Sequence, residues 1–167
     1  MIDIVEVTDL PHIKETAALA HSIWNQHYTP IIGRGQVDYM LLNFQSQQAI
    51  KEQIDEGCRY FLVYYDKKAV GYFAILADLK DTSLFLSKFY IDEEFRGRGI
   101  GRHCISYIEN ISMMDGLNRI WLTVNKYNEN SIKAYEKFGF KKVEELVQDI
   151  GNGFLMDDYK MEKRLGG

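Results

Sequence analysis

The segment from Phe89 to Ile108, FYIDEEFRGRGIGRHCISYI, joins an apolar run, an acidic turn and a cationic glycine-rich turn to a helix-like pattern. Three glycines and three arginines fall within residues 96–102. Backbone N–H groups at a helix start have no partner within the helix, and the helix dipole is positive there. Glycine permits positive φ angles and close approach to the backbone. The segment therefore predicts a strand, a turn suited to an anion such as a diphosphate, and a helix.

Three phosphate-binding patterns can be compared with this turn. The P-loop is excluded, because no Lys-Ser or Lys-Thr follows the glycines. The dinucleotide pattern G-x-G-x-x-G starts at Gly97 and Gly99, but Arg102 stands where the third glycine belongs. The pattern R-x-x-G-x-G does fit, at Arg96, Gly99 and Gly101. A solvated glycine turn is the alternative, because short glycine motifs are weakly specific.

The chain shows no repeat and no Pro/Gly/Ser-rich linker, so residues 1–167 are predicted to form a single domain. Hydrophobic periodicity and turn residues predict an alternation of strands and helices of the α/β (α+β) class. Strands are predicted at 2–7, 60–65, 69–77, 83–91, 120–124, 140–147 and 154–162, and helices at 9–27, 36–43, 46–56, 99–114 and 128–138, with Thr29-Pro30 breaking the first helix.

Charge and cysteine usage exclude several classes of protein. A net charge of -4 argues against a general nucleic-acid binder. Cys58 and Cys104 form no CxxC pair, which favours a reducing cytoplasm. The first residues lack the pattern of a signal peptide, and no apolar run approaches the ~18 residues of a membrane span. The histidines show no metal-ligand spacing, so no metal is predicted.

A second motif follows the first. The segment IWLTVNKYNENSIKAYEKFGFKKV has a strand, an Asn-rich turn and a helix with Asn128, Ser131 and Tyr135 in order. Together, the two motifs resemble the GCN5-related N-acetyltransferase (GNAT) superfamily over about Ser87 to Val143. The ending, DIGNGFLMDDYKMEKRL, is similar to the closing strand pair of bacterial members. The resemblance implies a mixed sheet of about seven strands, about four helices and a V-shaped splay between strands 4 and 5.

The resemblance also implies acetyl-CoA as co-substrate. The backbone of Phe89, Tyr90 and Ile91 would hold the acetyl and pantetheine portion, and its N–H groups can polarise the thioester carbonyl. Asn128 and Ser131 would lie along the pantetheine arm. The turn that would bind the pyrophosphate consists of Arg96, Gly97, Arg98, Gly99, Ile100, Gly101 and Arg102.

Tyr135 is the catalytic residue that the resemblance implies. It would protonate the leaving thiolate, a role that suits a phenol with a pKa of ~10 against ~8.5 for a thiol. A helix tyrosine packed on the sheet is the alternative. Arg96 has an alternative as well, as an ion-pair partner of Glu93 or Glu94.

One departure from the family pattern concerns the general base. Many members carry a glutamate on the central strand, whereas Ser83–Phe89 contains no carboxylate. A primary amine with a pKa near ~10.4 must lose a proton before it attacks. His27, Asp157 and Asp158 are the candidates, although a histidine here is also a helix cap and the aspartates fit a solvated turn. The residues expected to border the acceptor are Trp24, His27, Tyr28 and Asp157.

The sequence thus predicts a cytoplasmic, acetyl-CoA-dependent N-acetyltransferase that acts on a primary amine by direct transfer. The resemblance is nearest to bacterial members that include polyamine acetyltransferases, and a peptide amine stays open as acceptor. Neither nucleic acid nor membrane is expected as a partner, and a homodimer is plausible. The alternative is a non-catalytic acyl-CoA-binding sensor or pseudoenzyme, which the missing carboxylate favours.

Overall fold

The computed structural model describes residues 1–166. Seven strands form a mixed sheet in the order β1-β2-β3-β4-β5-β7-β6. The strands are β1 Ile2–Glu6, β2 Arg59–Tyr65, β3 Lys68–Asp78, β4 Ser83–Ile91, β5 Arg119–Asn125, β6 Lys141–Gly151 and β7 Phe154–Arg164. The helices are α1 Leu10–His27, α2 Thr29–Ile32, α3 Arg34–Phe44, α4 Gln47–Asp55, α5 Ile100–Met114 and α6 Glu129–Lys137, and a 3-10 turn spans Glu93–Phe95.

The predicted α+β class and the seven-stranded mixed sheet are confirmed. The count of about four helices is too low, because the described residues form six. Pro30 accounts for part of the difference, since it lies in the first turn of α2, where its missing N–H is not needed. The predicted break at Thr29-Pro30 is therefore the start of a new short helix.

The chain divides into two compact units, Met1–Leu76 with Lys88–Cys104, and Ala77–Ser87 with residues 105–166. The first unit contains the antiparallel strands β1, β2 and β3 together with α1 to α4. Two of its helices have side-chain caps, because Asp9 accepts from His12 N–H and Ser46 accepts from Ala49 N–H. Its core is rich in fully buried aromatic side chains, namely Tyr60, Phe61, Tyr72 and Phe73.

The second unit contains β5, β6, β7 and α6. Strand β7 pairs antiparallel with both β5 and β6. Strand β5 also pairs parallel with the start of β4, from Ser83↔Arg119 to Phe85↔Trp121. Strands 4 and 5, between which the resemblance implies a splay, are thus parallel neighbours at the start of β4. Gly139, with φ +99°, directly follows the C-cap of α6, a place where glycine is common because it adopts positive φ angles without strain.

Candidate active site

The turn after β4 combines positive φ angles with open space. Gly97 and Gly99 both have φ +77°, and nothing lies within 4 Å of a Cβ built on either residue. Helix α5 begins at Ile100, and its entry hydrogen bond runs from His103 N–H to Gly99 O at 3.1 Å. The N–H groups of Ile100 and Gly101 thus precede the intrahelical hydrogen bonds. The turn fits a diphosphate, whose oxygens can approach such groups closely.

The arginines of this turn have different surroundings. Arg96 is exposed and forms no ion pair with an acidic side chain of residues 1–166, so its alternative role as an ion-pair partner has no support. The guanidinium carbon of Arg98 lies 5.1 Å from the ring centroid of Phe95 and 5.4 Å from that of Tyr65. Arg102 is exposed in the first turn of α5. Arg96 therefore presents its charge to solvent, whereas Arg98 is also packed on aromatic rings.

The end of β4 lies close against β3. A Cβ on Gly71 would stand 2.5 Å from Tyr90 O and 2.6 Å from Ile91 Cδ1. Phe89, by contrast, packs edge-on against Phe73, with ring centroids 6.4 Å apart. The backbone predicted to hold the acetyl and pantetheine portion is thus fixed by contacts that only a glycine on β3 permits.

An aromatic group lies beside this strand end in the first unit. Trp24 stacks on Tyr28 at a centroid distance of 4.4 Å, and Tyr90 meets Trp24 at 5.3 Å and Tyr28 at 5.9 Å. Trp24 Nε1 donates to the hydroxyl of Tyr72 at 3.2 Å, and that hydroxyl donates to Gln45 Oε1 at 3.0 Å. Two residues predicted to border the acceptor, Trp24 and Tyr28, are thus brought against Tyr90.

His27, the third residue predicted there, lies at the end of α1. Its Nδ1 is 3.3 Å from Glu93 Oε1, and its side chain is 10% exposed. Its ring meets Tyr28 edge-on at 4.7 Å. The structure therefore joins His27 to a carboxylate from the turn after β4, a partner that the sequence did not assign to it.

Helix α6 in the second unit carries the other predicted site residues. Asn128 is its N-cap and is 2% exposed, yet its side chain makes no cap hydrogen bond. Ser131 and Tyr135 lie four residues apart and therefore on one face of the helix, both half-buried. The ring of Tyr135 packs edge-on against Phe140 at 5.7 Å. The buried amide of Asn128 is thus not used as a helix cap.

The two neighbouring aspartates of β7 have different environments. Asp157 is partly exposed, and its Oδ1 lies 2.9 Å from Lys126 Nζ. Asp158 is 2% exposed, and its buried Oδ1 has no hydrogen-bond partner among residues 1–166. Burial, with a smaller effect of the Asp157 charge, raises the pKa of Asp158 to about 6. The buried carboxylate is thus Asp158, whereas the residue predicted at the acceptor was Asp157.

A buried lysine is the main polar feature of the first unit that sequence reasoning missed. Lys88 of β4 is 8% exposed. Its Nζ bonds to Phe44 O, to the Tyr60 hydroxyl and, at 3.0 Å, to Gln53 Oε1. Burial lowers the pKa of Lys88 to about 7. A single lysine in an otherwise apolar strand could have signalled this burial. Its three acceptors, however, lie 44, 35 and 28 residues away from Lys88 in the sequence.

The described residues contain no group of three or more His, Cys, Asp or Glu side chains that could hold a metal ion. None of the helices within residues 1–166 is long and apolar enough to cross a membrane. Cys104 is fully buried, and burial raises its pKa to about 12, so its thiol is a poor nucleophile.

Comparison with known sequences identifies the family of this chain. Residues 18–140 match the family described as Acetyltransferase (GNAT) family. The chain is 28% identical over 121 residues to the spermine/spermidine N(1)-acetyltransferase of Bacillus subtilis, covering 66% of this chain and 76% of that protein. It is 30% identical over 97 residues to N-alpha-acetyltransferase 50 of Danio rerio, covering 56% and 58%.

Solved structures agree on the fold. PaiA N-acetyltransferase from Thermoplasma acidophilum, solved in complex with coenzyme A, superposes with a TM-score of 0.81 at 19% identity, covering 99% of both chains. The ribosomal-protein-S18-alanine N-acetyltransferase of Escherichia coli gives a TM-score of 0.68 at 18% identity, covering 100% of this chain and 97% of that one. The chain belongs to the GNAT acetyltransferase family and is an N-acetyltransferase that uses acetyl-CoA.

Proposed function

We propose that this enzyme acetylates a primary amine of a small aliphatic polyamine by direct transfer. The observation that carries the proposal is the half-buried pair Tyr28 and Tyr90, packed against the buried ring of Trp24, with the His27–Glu93 pair beside it. Aromatic faces attract ammonium groups and accept methylene spacers, and a carboxylate adds opposite charge. The similarity to a spermine/spermidine acetyltransferase supports the same acceptor class.

Acetyl-CoA supplies the activated acetyl group as a thioester. In the first unit, residues 96–102 would bind its diphosphate, because the turn offers open space, helix N–H groups and exposed arginines. The backbone N–H groups of Phe89, Tyr90 and Ile91 would orient the acetyl carbonyl.

Helix α6 of the second unit carries the residues that the resemblance assigns to the thiol end of acetyl-CoA. The buried Asn128 amide would bind the pantetheine arm, with Ser131 next to it. Tyr135 would donate its phenolic proton to the departing thiolate. The family match includes residues of both units, which supports a single acetyltransferase domain over residues 1–167.

Thiol release from acetyl-CoA, measured with a panel of amines, tests the proposed function. Spermidine and spermine should give turnover well above amino acids, aminoglycosides and peptides with a free N-terminus. Turnover with peptides alone would replace the polyamine acceptor by a protein amine. Acetyl-CoA binding without turnover for any amine would favour the sensor that the sequence left as an alternative.

Pairing of two chains into a homodimer stays a prediction, to be measured by light scattering.

A further inference from the structure

The central strand of this enzyme offers no carboxylate to deprotonate an amine. Strand β4, Ser83–Ile91, carries Lys88, whose Nζ already makes three hydrogen bonds. A proton acceptor must therefore come from another element. It should be buried and still have an unused lone pair.

Asp158 meets these conditions. Only 2% of the residue is exposed, and its Oδ1 lacks a hydrogen-bond partner among the described residues. A buried carboxylate oxygen without a donor carries a desolvation penalty that a bound N–H group would remove. The Oδ1 of the neighbouring Asp157 is also buried without a hydrogen-bond partner among the described residues, but Lys126 Nζ lies 2.9 Å from it and supplies a counter-charge that makes Asp157 a weaker base.

The position of Asp158 in the sheet points to the same role. Asp158 pairs directly with Asn125, the last residue of β5. Asn125 marks the carboxyl end of β5, and ligands of open α/β sheets bind at the carboxyl ends of strands. The chain then passes through a short turn into α6, which carries Tyr135. Directly paired residues share a face of the sheet, so Asp158 lies on the same face as Asn125.

The charges around Asp158 are balanced in a way that suits a base. Asp157 raises its pKa, and Lys126 lowers it by a smaller amount. On the same face of β7 lies Lys160, whose Nζ is over the ring of Trp121 at 4.7 Å. Glu144 of β6, which pairs with Lys160, is exposed. A carboxyl with a pKa of about 6 is ionised at neutral pH, yet it is a stronger base than an ordinary aspartate.

We infer that Asp158 is the general base that removes the proton from the acceptor amine. This inference rests on the proposed function. The Asp158 carboxylate takes one proton from the ammonium group, and the freed nitrogen lone pair forms a bond to the acetyl carbon. The C–S bond of the thioester breaks, the thiolate receives the Tyr135 proton, and Asp158 later releases its proton to solvent.

The decisive variant is Asp158→Asn, which keeps size and shape but cannot accept the proton. Its kcat/KM with spermidine should fall by about 100-fold or more at pH 7. The acidic limb of the wild-type pH profile, expected near pH 6 for a base that must be ionised, should disappear. Coenzyme A affinity should stay within about twofold, since Asp158 has no part in the diphosphate turn. Glu144→Gln is the matched control, and it should keep both the wild-type kcat/KM and the acidic limb of the pH profile.

A direct titration gives a readout that is independent of turnover. The 13C carboxyl signal that Asp158→Asn removes should titrate near pH 6 in the wild-type protein, and spermidine should move it to lower pH. A midpoint near ~4 would overturn the assignment. Turnover of Asp158→Asn within threefold of wild type would do the same. If wild-type protein turns over no amine, the proposed function itself fails, and the inference falls with it.

Discussion

At the scale of single residues, the second unit places two proton-handling candidates on neighbouring elements. Tyr135 lies half-buried on α6, and Asp158 lies buried on β7. One is suited to donating a proton and the other to accepting one, because a phenol and a buried carboxyl have very different pKa values. The two side chains therefore make separable contributions to the rate.

Replacing Tyr135 by Phe should reduce kcat by about 100-fold, because the thiolate would leave without a positioned proton donor. The affinity for acetyl-CoA, measured by calorimetry, should change little. Tyr127→Phe is the control, since Tyr127 is 71% exposed on the turn before the same helix. Full turnover of Tyr135→Phe would remove Tyr135 from the chemistry and leave it as a packing residue against Phe140.

Lys88 predicts a pH dependence of folding stability. Its pKa is about 7 in the folded state, below the ordinary value of a lysine, so between pH 7 and ~10.4 the unfolded chain holds the extra proton. The free energy of unfolding should therefore rise with pH in this window, and the gain is lost as the pH falls towards 7.

The measurement is denaturant unfolding of wild type and Lys88→Met. Wild type should gain roughly 2 kcal/mol relative to the variant between about pH 7 and pH 9. Lys51→Met serves as the control, because Lys51 is 64% exposed and pairs with Asp55 on α4. If the free energy of unfolding changes with pH in the same way for wild type and Lys88→Met, Lys88 stays protonated inside the protein.

At the scale of secondary-structure elements, the strand and helix pattern was largely predictable from local sequence. The bounds of β4 agree at both ends, and the helices predicted to begin at residues 9 and 46 start at the capping residues Asp9 and Ser46. The error at Pro30 has a physical cause, since proline is as well suited to starting a helix as to ending one. Local sequence alone cannot tell which of the two occurs.

The contact between β3 and β4 predicts the effect of Gly71→Ala. A Cβ would clash with the backbone oxygen of Tyr90 at 2.5 Å, so β4 must move away from β3. We expect a loss of about 1–3 kcal/mol in the free energy of unfolding and a weaker affinity for acetyl-CoA, because the strand end that would hold it shifts.

Gly116→Ala separates these two effects. Gly116 has φ +74° with nothing within 4 Å of a Cβ, so the substitution strains the backbone without touching β4. It should lower stability by about 1 kcal/mol and leave acetyl-CoA affinity unchanged. Unaltered affinity in Gly71→Ala would show that the end of β4 does not hold the co-substrate.

At the scale of the whole molecule, the sequence predicts site residues where a continuous motif carries them. The predicted diphosphate turn and the helix with Asn128 and Tyr135 each lie within one short segment. The partners missed by the sequence come from distant segments. Glu93 meets His27 across 66 positions, and Lys88 reaches Phe44 and Tyr60 across 44 and 28. Such pairs depend on tertiary packing. Local patterns in a single sequence do not show which distant residues come into contact.

The overall charge predicts how the enzyme responds to salt. A net charge of -4 attracts a polycation at long range, and dissolved salt screens this attraction. The KM for spermidine should rise several-fold between about 0.05 M and 0.5 M salt. A monoamine acceptor should show a much smaller rise, and kcat should stay nearly constant for both. Equal salt effects on the two acceptors would show that long-range attraction does not contribute to binding.

The last strand in the sheet order has a consequence for solubility. Strand β6 is an 11-residue edge strand that is largely exposed, with Val143 52% and Val147 64% accessible. Such an edge invites pairing with other chains and aggregation. Here the ladder is interrupted by two register shifts, and charges of both signs flank the valines. The charged side chains are Lys141, Lys142, Glu144, Glu145 and Asp149. The register shifts and the charges both oppose pairing of this edge strand with other chains. Replacing these charged side chains by neutral ones should therefore promote aggregation before it affects catalysis.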